Sequence, residues 1–293
     1  MSTDVKITLN ITAKELRSNA SGFSRLAELH SQMVRYSNTT IHVDMSELSW
    51  MDGHLASALM VLIRRAERSG NQIFCLNTRP NVRNVLQRNK LFQSTIIDRR
   101  GTTMPVREFG LEQFLSFSEY AKRHLARPEM PKMTPALTNK FFEGVDELFA
   151  NSALHSKAQV GVIVCGQFYP RTGVLDFAIV DGGISIPGSL RESGKPQRSD
   201  AAAIEWAMTT GHTTRQGDIP GGLGSKVLRE FVGLNEGRLM IVSGSGLWLQ
   251  NKTTVSTERL SDSFPGTIVV LEINTSDKKS YDLVGGPSAT DIW

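Results

Sequence analysis

Cysteine is scarce in this 293-residue chain, and its scarcity already removes several classes of protein. Cys75 and Cys165 each sit inside an apolar, strand-like run, QIFCL and VIVCG. Thiols in such settings read as buried groups of a cytoplasmic protein, not as a disulfide framework or a metal-binding cluster. Long hydrophobic runs are also missing: no stretch reaches the roughly 20 residues a membrane-spanning helix requires. The opening MSTDVKITLN lacks the charged and apolar regions of a secretory signal, so the expectation is a chain with no membrane partner. Internal repeats and low-complexity tracts are absent as well. What remains, 40% hydrophobic and 21% charged residues, is the composition of a globular protein with room for two domains.

No strong excess of one charge is present either, since the net charge is +4. It is unevenly spread, with 19 Lys+Arg against 12 Asp+Glu in residues 1–133 and 14 against 17 in 134–293. The split supports a boundary near residue 130. A surplus of +7 over a whole domain is modest, which disfavours nucleic acid as a partner. Arg79, Arg83, Arg88, Lys90, Arg99 and Arg100 are too dispersed for a phosphate clamp and read as a solvated face.

Periodicity organises the N-terminal part as alternating strands and helices. Val5–Ile11, Ile41–Met45 and Gln72–Leu76 read as strands; Ser24–Tyr36, Leu55–Ala66 and Asn81–Lys90 read as helices. The segment Ile41–Asn77 carries Asp44-Met45-Ser46 at a strand end and Met51-Asp52 before a long helix. In this it resembles a STAS domain, the fold of anti-sigma-factor antagonists. Regulated members carry a phosphorylatable Ser or Thr after the aspartate, whereas Gly53-His54 stands here, and Asp52 on its own reads as a helix cap. Residues 1–100 are therefore expected to form a STAS-like domain. Residues 101–133 are expected to be a connector, with an amphipathic helix at Leu111–Leu125 and a proline-stiffened linker.

The C-terminal half is organised around Thr134–Ser156. Thr134 followed by Pro135 is a helix opening, and Phe141, Val145, Leu148 and Phe149 recur at core-facing spacing. Glu147, Asn151 and His155 repeat every fourth residue and share a second face. A carboxylate and a carboxamide one turn apart suit an activated water and a hydrated magnesium, though solvated helix faces show the same pair. Downstream lie FAIVDGGISIP (Phe177–Pro187), GDIPGGLGSKVL (Gly217–Leu228) and Pro265-Gly266-Thr267 ahead of Ile268–Ile273. These four stretches, in this order over residues 134–275, resemble the ATP-binding boxes of the gyrase, heat-shock chaperone, histidine kinase and mismatch-repair superfamily (GHKL).

That resemblance implies an α/β sandwich with a mixed, mostly antiparallel sheet, binding ATP and Mg2+. It makes Glu147 the general base towards the γ-phosphate and Asn151 the magnesium ligand. Asp181 would read the exocyclic amine of adenine, with Gly183 closing the loop over the base. Thr267 would approach adenine through water. Gly222, Leu223, Gly224 and Ser225 would cradle the triphosphate at a helix start, with Ser225 standing where the family usually has leucine. His155 is either a phosphate contact or a helix-terminal histidine favoured by the dipole, and Lys226 either a phosphate partner or an exposed helix lysine. Ile184–Pro220 would be the ATP lid, with one helical piece at Ala201–Met208, and residues 276–293 a flexible tail.

The function so implied is a nucleotide-dependent regulatory switch or slow ATPase coupled to a STAS-like region that binds a regulatory protein or a second copy of the chain. The alternative is a serine/threonine protein kinase of the anti-sigma-factor type. A sensor histidine kinase ranks lower, because His124 in KRHLAR has no second helix to pair with, and a non-catalytic interaction protein would leave the four boxes to coincidence.

Overall fold

The structure is a computed structural model that describes residues 6–92, 94–195, 197–209 and 223–282, with backbone alone at 155 and 223–225. The described residues form a mixed α/β arrangement of sheets and helices with no closed barrel. In the N-terminal part, β1 (Lys6–Asn10) leads through β2 (Glu15–Leu16) into α1 (Ala20–Met33). β3 (Thr40–Asp44) is followed by β4 (Trp50–Met51), a 3-10 turn at Gly53–Leu55 and α2 (Ala56–Arg68). β5 (Gln72–Leu76) and α3 (Pro80–Arg88) complete this part. β1, β3 and β5 pair in parallel in that order, as strands joined by helical crossovers must. Asn19 caps α1 by accepting from Gly22 N at 2.9 Å, and Gly70, at φ 78°, ends the turn after α2 where a side chain would be strained.

Asp52 is not the helix cap its position suggests. It makes no capping bond; its Oδ2 accepts from Ser18 N at 2.9 Å and its Oδ1 from Trp50 Nε1 at 2.8 Å. The carboxylate ties β4 to the start of α1 instead.

The connector also departs from expectation, because β6 (Thr103–Phe109) is a strand of the large sheet. Pro105 hid it: proline cannot donate in a ladder, so it is confined to edges and bulges. β6 is an edge strand whose register shifts between Met104 and Arg107. α4 (Phe114–Leu125) and β7 (Lys132–Met133) follow, then α5 (Pro135–His155), whose cap Thr134 accepts from Leu137 N at 3.3 Å. β8 (Val162–Tyr169) and β9 (Val174–Asp181) form a hairpin. α6 (Ile186–Glu192) and α7 (Asp200–Ala207) come next, so the expected lid holds two helices in its described part; residues 210–220 of it lie outside the described residues. α8 (Leu223–Leu234), β10 (Arg238–Asn251), β11 (Thr254–Asn274) and β12 (Ser280–Tyr281) finish the chain as described. β12 pairs in parallel with β7 and Tyr281 is buried, so the expected flexible tail begins as docked chain; residues 283–293 lie outside the described residues.

The large sheet has the order β10-β11-β9-β8-β6, and every neighbouring pair is antiparallel. Its central strands are apolar at nearly every position because both faces are covered. On one face Val162, Val164, Phe177, Ile179, Ile241 and Val269 meet Phe117, Phe141, Phe149 and Phe231 of α4, α5 and α8. Phe117 and Phe149 stack with ring centres 4.3 Å apart. On the other face Ile163, Cys165, Ala178, Val180 and Val270 share one core with Leu26 and Leu29 of α1, Leu59 and Leu62 of α2, and Ile41 and Val43 of β3. Residues 1–100 and 134–275 thus contribute to a single core across the sheet. Burial pushes the Cys75 thiol up to about 12 and Cys165 higher still, and the Cys165 thiol donates to Asn89 Oδ1 at 3.0 Å.

Candidate functional site

Asp181 ends β9 at the point where the chain leaves the sheet, and it is 2% exposed. Alternation along β9 puts it on the face of Phe177 and Ile179, towards α5. Its Oδ1 accepts from Gly183 N at 3.0 Å. The Thr267 N–H, on the paired residue of β11, and the Ser152 hydroxyl of α5 lie near enough to favour its charged form. Burial drives the Asp181 carboxyl up to about 7, opposed by these three neutral donors and by the more distant charge of Arg65. Among the described residues no cation hydrogen-bonds this carboxylate, and burial brings its ionisation near neutrality.

The glycines around it are dictated by close approach. A Cβ on Gly183 would lie 2.0 Å from the Ser156 carbonyl oxygen of α5. One on Gly266, whose φ is 78°, would lie 2.3 Å from the Asp181 carbonyl oxygen. Ile184 N donates to the same Ser156 oxygen, pinning the loop to the end of α5. Behind Thr267 stands Ser243 of β10, fully buried, with its hydroxyl 2.9 Å from Thr267 Oγ1 and 3.1 Å from the Gly266 oxygen. It also accepts from Ile186 N at 2.8 Å, so one side chain joins β10, β11 and the start of α6.

Of the residues singled out from sequence, Asp181, Gly183 and Thr267 come together around this loop. Glu147 and Asn151 lie one turn apart on α5, both half-buried, and the α5 group that acts on Asp181 is the Ser152 hydroxyl, next to Asn151. Lys226 is exposed and pairs with Glu230 at 3.8 Å, the behaviour of a helix-surface lysine. Leu223, Gly224 and Ser225 form the first turn of α8, which Leu228, Phe231 and Val232 anchor in the core beside α5. Gly222 and the side chain of His155 lie outside what the structure describes. Among the described residues no cluster of three or more His, Cys, Asp or Glu is arranged to hold a metal. A magnesium site of the kind expected at Asn151 needs only one protein oxygen beside water and phosphate ligands, and Asn151 stands half-buried on α5 one turn from Glu147.

Sequence reasoning passed over Ser152, Ser156 and Ser243, whose hydroxyls are unremarkable in any motif. It also passed over a buried polar row on the opposite face of the sheet. His54, fully buried in the 3-10 turn, has its Nδ1 3.1 Å from Asp176 Oδ2 of β9 and its Nε2 against the Ser18 hydroxyl. The ring nitrogen and the carboxylate are at ion-pair distance but not aligned as a hydrogen bond, and Asp176 Oδ1 has no partner. Burial acts to lower the His54 pKa, but the charges of Asp176, Asp52 and Glu272 prevail and hold it above its ordinary value. A separate cleft of about 240 Å³, lined by Trp50, Met51, Asn81, Val82, Asn84, Val85 and Arg88, shares none of these groups.

No family model matches the chain, and no curated protein matches it in sequence.

Proposed function

We propose that this chain binds Mg-ATP at the Asp181 loop and works as a GHKL-type regulatory switch or slow ATPase coupled to a STAS-like N-terminal region. The observation that carries this reading is the setting of Asp181: a buried carboxylate at a strand end, hydrogen-bonded by the Gly183 N–H, with the Thr267 N–H and the Ser152 hydroxyl close by. Such a carboxylate recognises an exocyclic amine, as adenine offers, and rejects the carbonyl that guanine presents there. Thr267 stands beside it to complete contact with the base. Glu147 would orient or deprotonate a water, and α8 would offer the N–H groups of its first turn to phosphate. Magnesium, when bound with the nucleotide, would neutralise phosphate charge, with Asn151 as its protein ligand.

The seam between the halves supports a switch over a kinase that modifies its own STAS-like region. Gly53, at the position where regulated members carry a hydroxyl, faces the large sheet: its N–H donates to Tyr169 Oη at 2.9 Å, and an added Cβ would lie 2.8 Å from Gln167 Oε1. A hydroxyl at that position would be sealed between the layers, out of reach of a phosphoryl donor. The N-terminal region is then the surface for a regulatory protein or a second copy of the chain.

Calorimetry with Mg-ATP and Mg-GTP tests the reading directly. Saturable binding of ATP, exclusion of GTP and strong loss of affinity in Asp181→Asn are expected. Equal binding of both nucleotides, or equal affinity of the variant, removes Asp181 from the site.

A further inference from the structure

The loop that presents Asp181 is gripped from outside the C-terminal half. Arg65, in the last turn of α2, crosses the seam and its Nη1 donates to the carbonyl oxygen of Gly182. That carbonyl and the Gly183 N–H belong to one peptide unit, and the Gly183 N–H is the group that bonds Asp181 Oδ1 at 3.0 Å. The guanidinium, the peptide and the carboxylate therefore form a continuous line. A cation at the oxygen end of a peptide polarises its N–H and makes it a better donor to an anion at the other end. The fit is close: an added Cβ on Gly182 would lie 2.8 Å from Val61 Cγ1 and 3.1 Å from Arg65 Cδ, both on α2. Arg65 is half-buried, forms no ion pair within 4.0 Å of a carboxylate among the described residues, and leaves its buried Nε without a partner. A desolvated guanidinium without a carboxylate bond is costly unless its charge is used by something nearby. The anion it faces is Asp181.

We propose that Arg65 is a positioning residue for the base-reading carboxylate, so that the nucleotide site is built by both halves of the chain. The assignment rests on the nucleotide reading above and deepens it: α2 sets the orientation and ionisation of Asp181 through the Gly182–Gly183 peptide. The groups facing Asp181 are Arg65 from α2, the Ser152 hydroxyl from α5, the Thr267 N–H from β11 and the Gly183 N–H of its own loop; Arg65 is the charged one. A change in α2 brought about by a partner on the N-terminal region would reach the base-binding end of the site by this route, without moving the phosphate-binding helix.

The test uses the full chain and measures ATP affinity from pH 5.5 to 8.5, with Mg2+, for the wild type, Arg65→Met and Arg65→Lys. Arg65→Met is expected to weaken ATP on the order of tenfold at neutral pH, the loss of a charge-assisted hydrogen bond. It should also move the acid-side fall in affinity to higher pH, because Asp181 loses the charge that favours its ionised form. Arg65→Lys keeps that charge and should keep the wild-type pH profile with a smaller loss of affinity. Should Arg65→Met fail to melt cooperatively, Arg65→Gln, neutral and close in shape, carries the same profile test. Wild-type affinity in the neutral variant, or weaker affinity with an unshifted profile, overturns the assignment and leaves Arg65 a packing residue. No ATP binding by the wild type overturns the nucleotide reading and this assignment with it, a pattern distinct from an indifferent Arg65 variant.

Discussion

Two aspartates on β9, five residues apart, show how differently one strand can use a buried carboxylate. Asp176 points into the seam with the N-terminal layer, 5% exposed, and meets the imidazole of His54. Asp181 points to the α5 face, 2% exposed, and accepts from the Gly183 N–H, with the Thr267 N–H and the Ser152 hydroxyl near it. Burial is the same; the partners are not. A carboxylate opposite a protonatable ring in a sealed seam is balanced by charge from the fold itself. A carboxylate stabilised by neutral donors at the edge of a loop stays poised near neutrality and is suited to receive a ligand. The two settings differ in ways that burial alone does not show.

Removing the seam partner has the largest expected effect. Asp176→Ala leaves His54 buried without its counter-charge, and loss of one member of such a pair typically costs about 3–5 kcal/mol. Urea unfolding should show that drop, with ATP binding retained by whatever fraction stays folded; a loss under about 1 kcal/mol would mean the pair is idle. On the other face, Glu147→Ala should leave ATP affinity nearly unchanged and cut turnover by roughly 10²–10⁴-fold, since a general base acts in the transition state. Phosphate release at the wild-type rate would reassign the water-orienting role.

Asp181→Asn should weaken ATP by about 1.5–3 kcal/mol while barely changing the midpoint in urea at pH 7, the reverse of the Asp176 pattern. The pH dependence sharpens the contrast. The Asp181 carboxyl rises from 3.8 to about 7 on folding, so between those values the folded chain holds a proton that the unfolded chain has released. Stability of the ligand-free protein then falls as pH rises across that window, and Asp181→Asn should flatten the fall. His54, raised above 6.5, contributes stability that is full below 6.5 and lost as pH climbs through its folded value, so its signature persists in Asp181→Asn. Thermal melts at half-unit pH steps distinguish the two, and identical curves for wild type and Asp181→Asn would contradict the assignment. The smallest effect concerns the helix that carries Ser152: Thr134→Ala removes its cap and should cost about 1 kcal/mol, read as a small shift in melting temperature.

What the sequence revealed followed from local chemistry. Gln72–Leu76 was legible because an alternating apolar run is bounded by Gly70 and Asn77, and α5 because a Thr-Pro opening precedes core-spaced aromatics. Asp181 and Thr267 were legible as a strand end and a strand start, and the register pairs them. β6 was hidden by Pro105 and by Arg107 and Glu108, which alternate poorly because the strand is an edge. The outer half of β11, Thr254–Ser263, is largely exposed, so no apolar signal marks its hairpin with β10. His54 and Asp176 lie far apart in sequence, and no spacing rule joins them. The same holds for Arg65 and Gly182, where the contact depends on how α2 lies across the sheet.

The pairing of β7 with β12 has a mechanical consequence. Thr134 N donates to the Tyr281 oxygen and the Thr134 hydroxyl to Asp282 at 2.7 Å, so the two ends of the segment carrying α5, the large hairpins and α8 are clipped side by side. The strands run in parallel. Tension entering before β7 and leaving after β12 therefore loads the clip in shear, where its bonds must yield together and not one after another. The backbone between those two strands is thereby closed into a loop at its ends. A pull applied to the backbone just before β7 and just after β12 would meet those bonds directly.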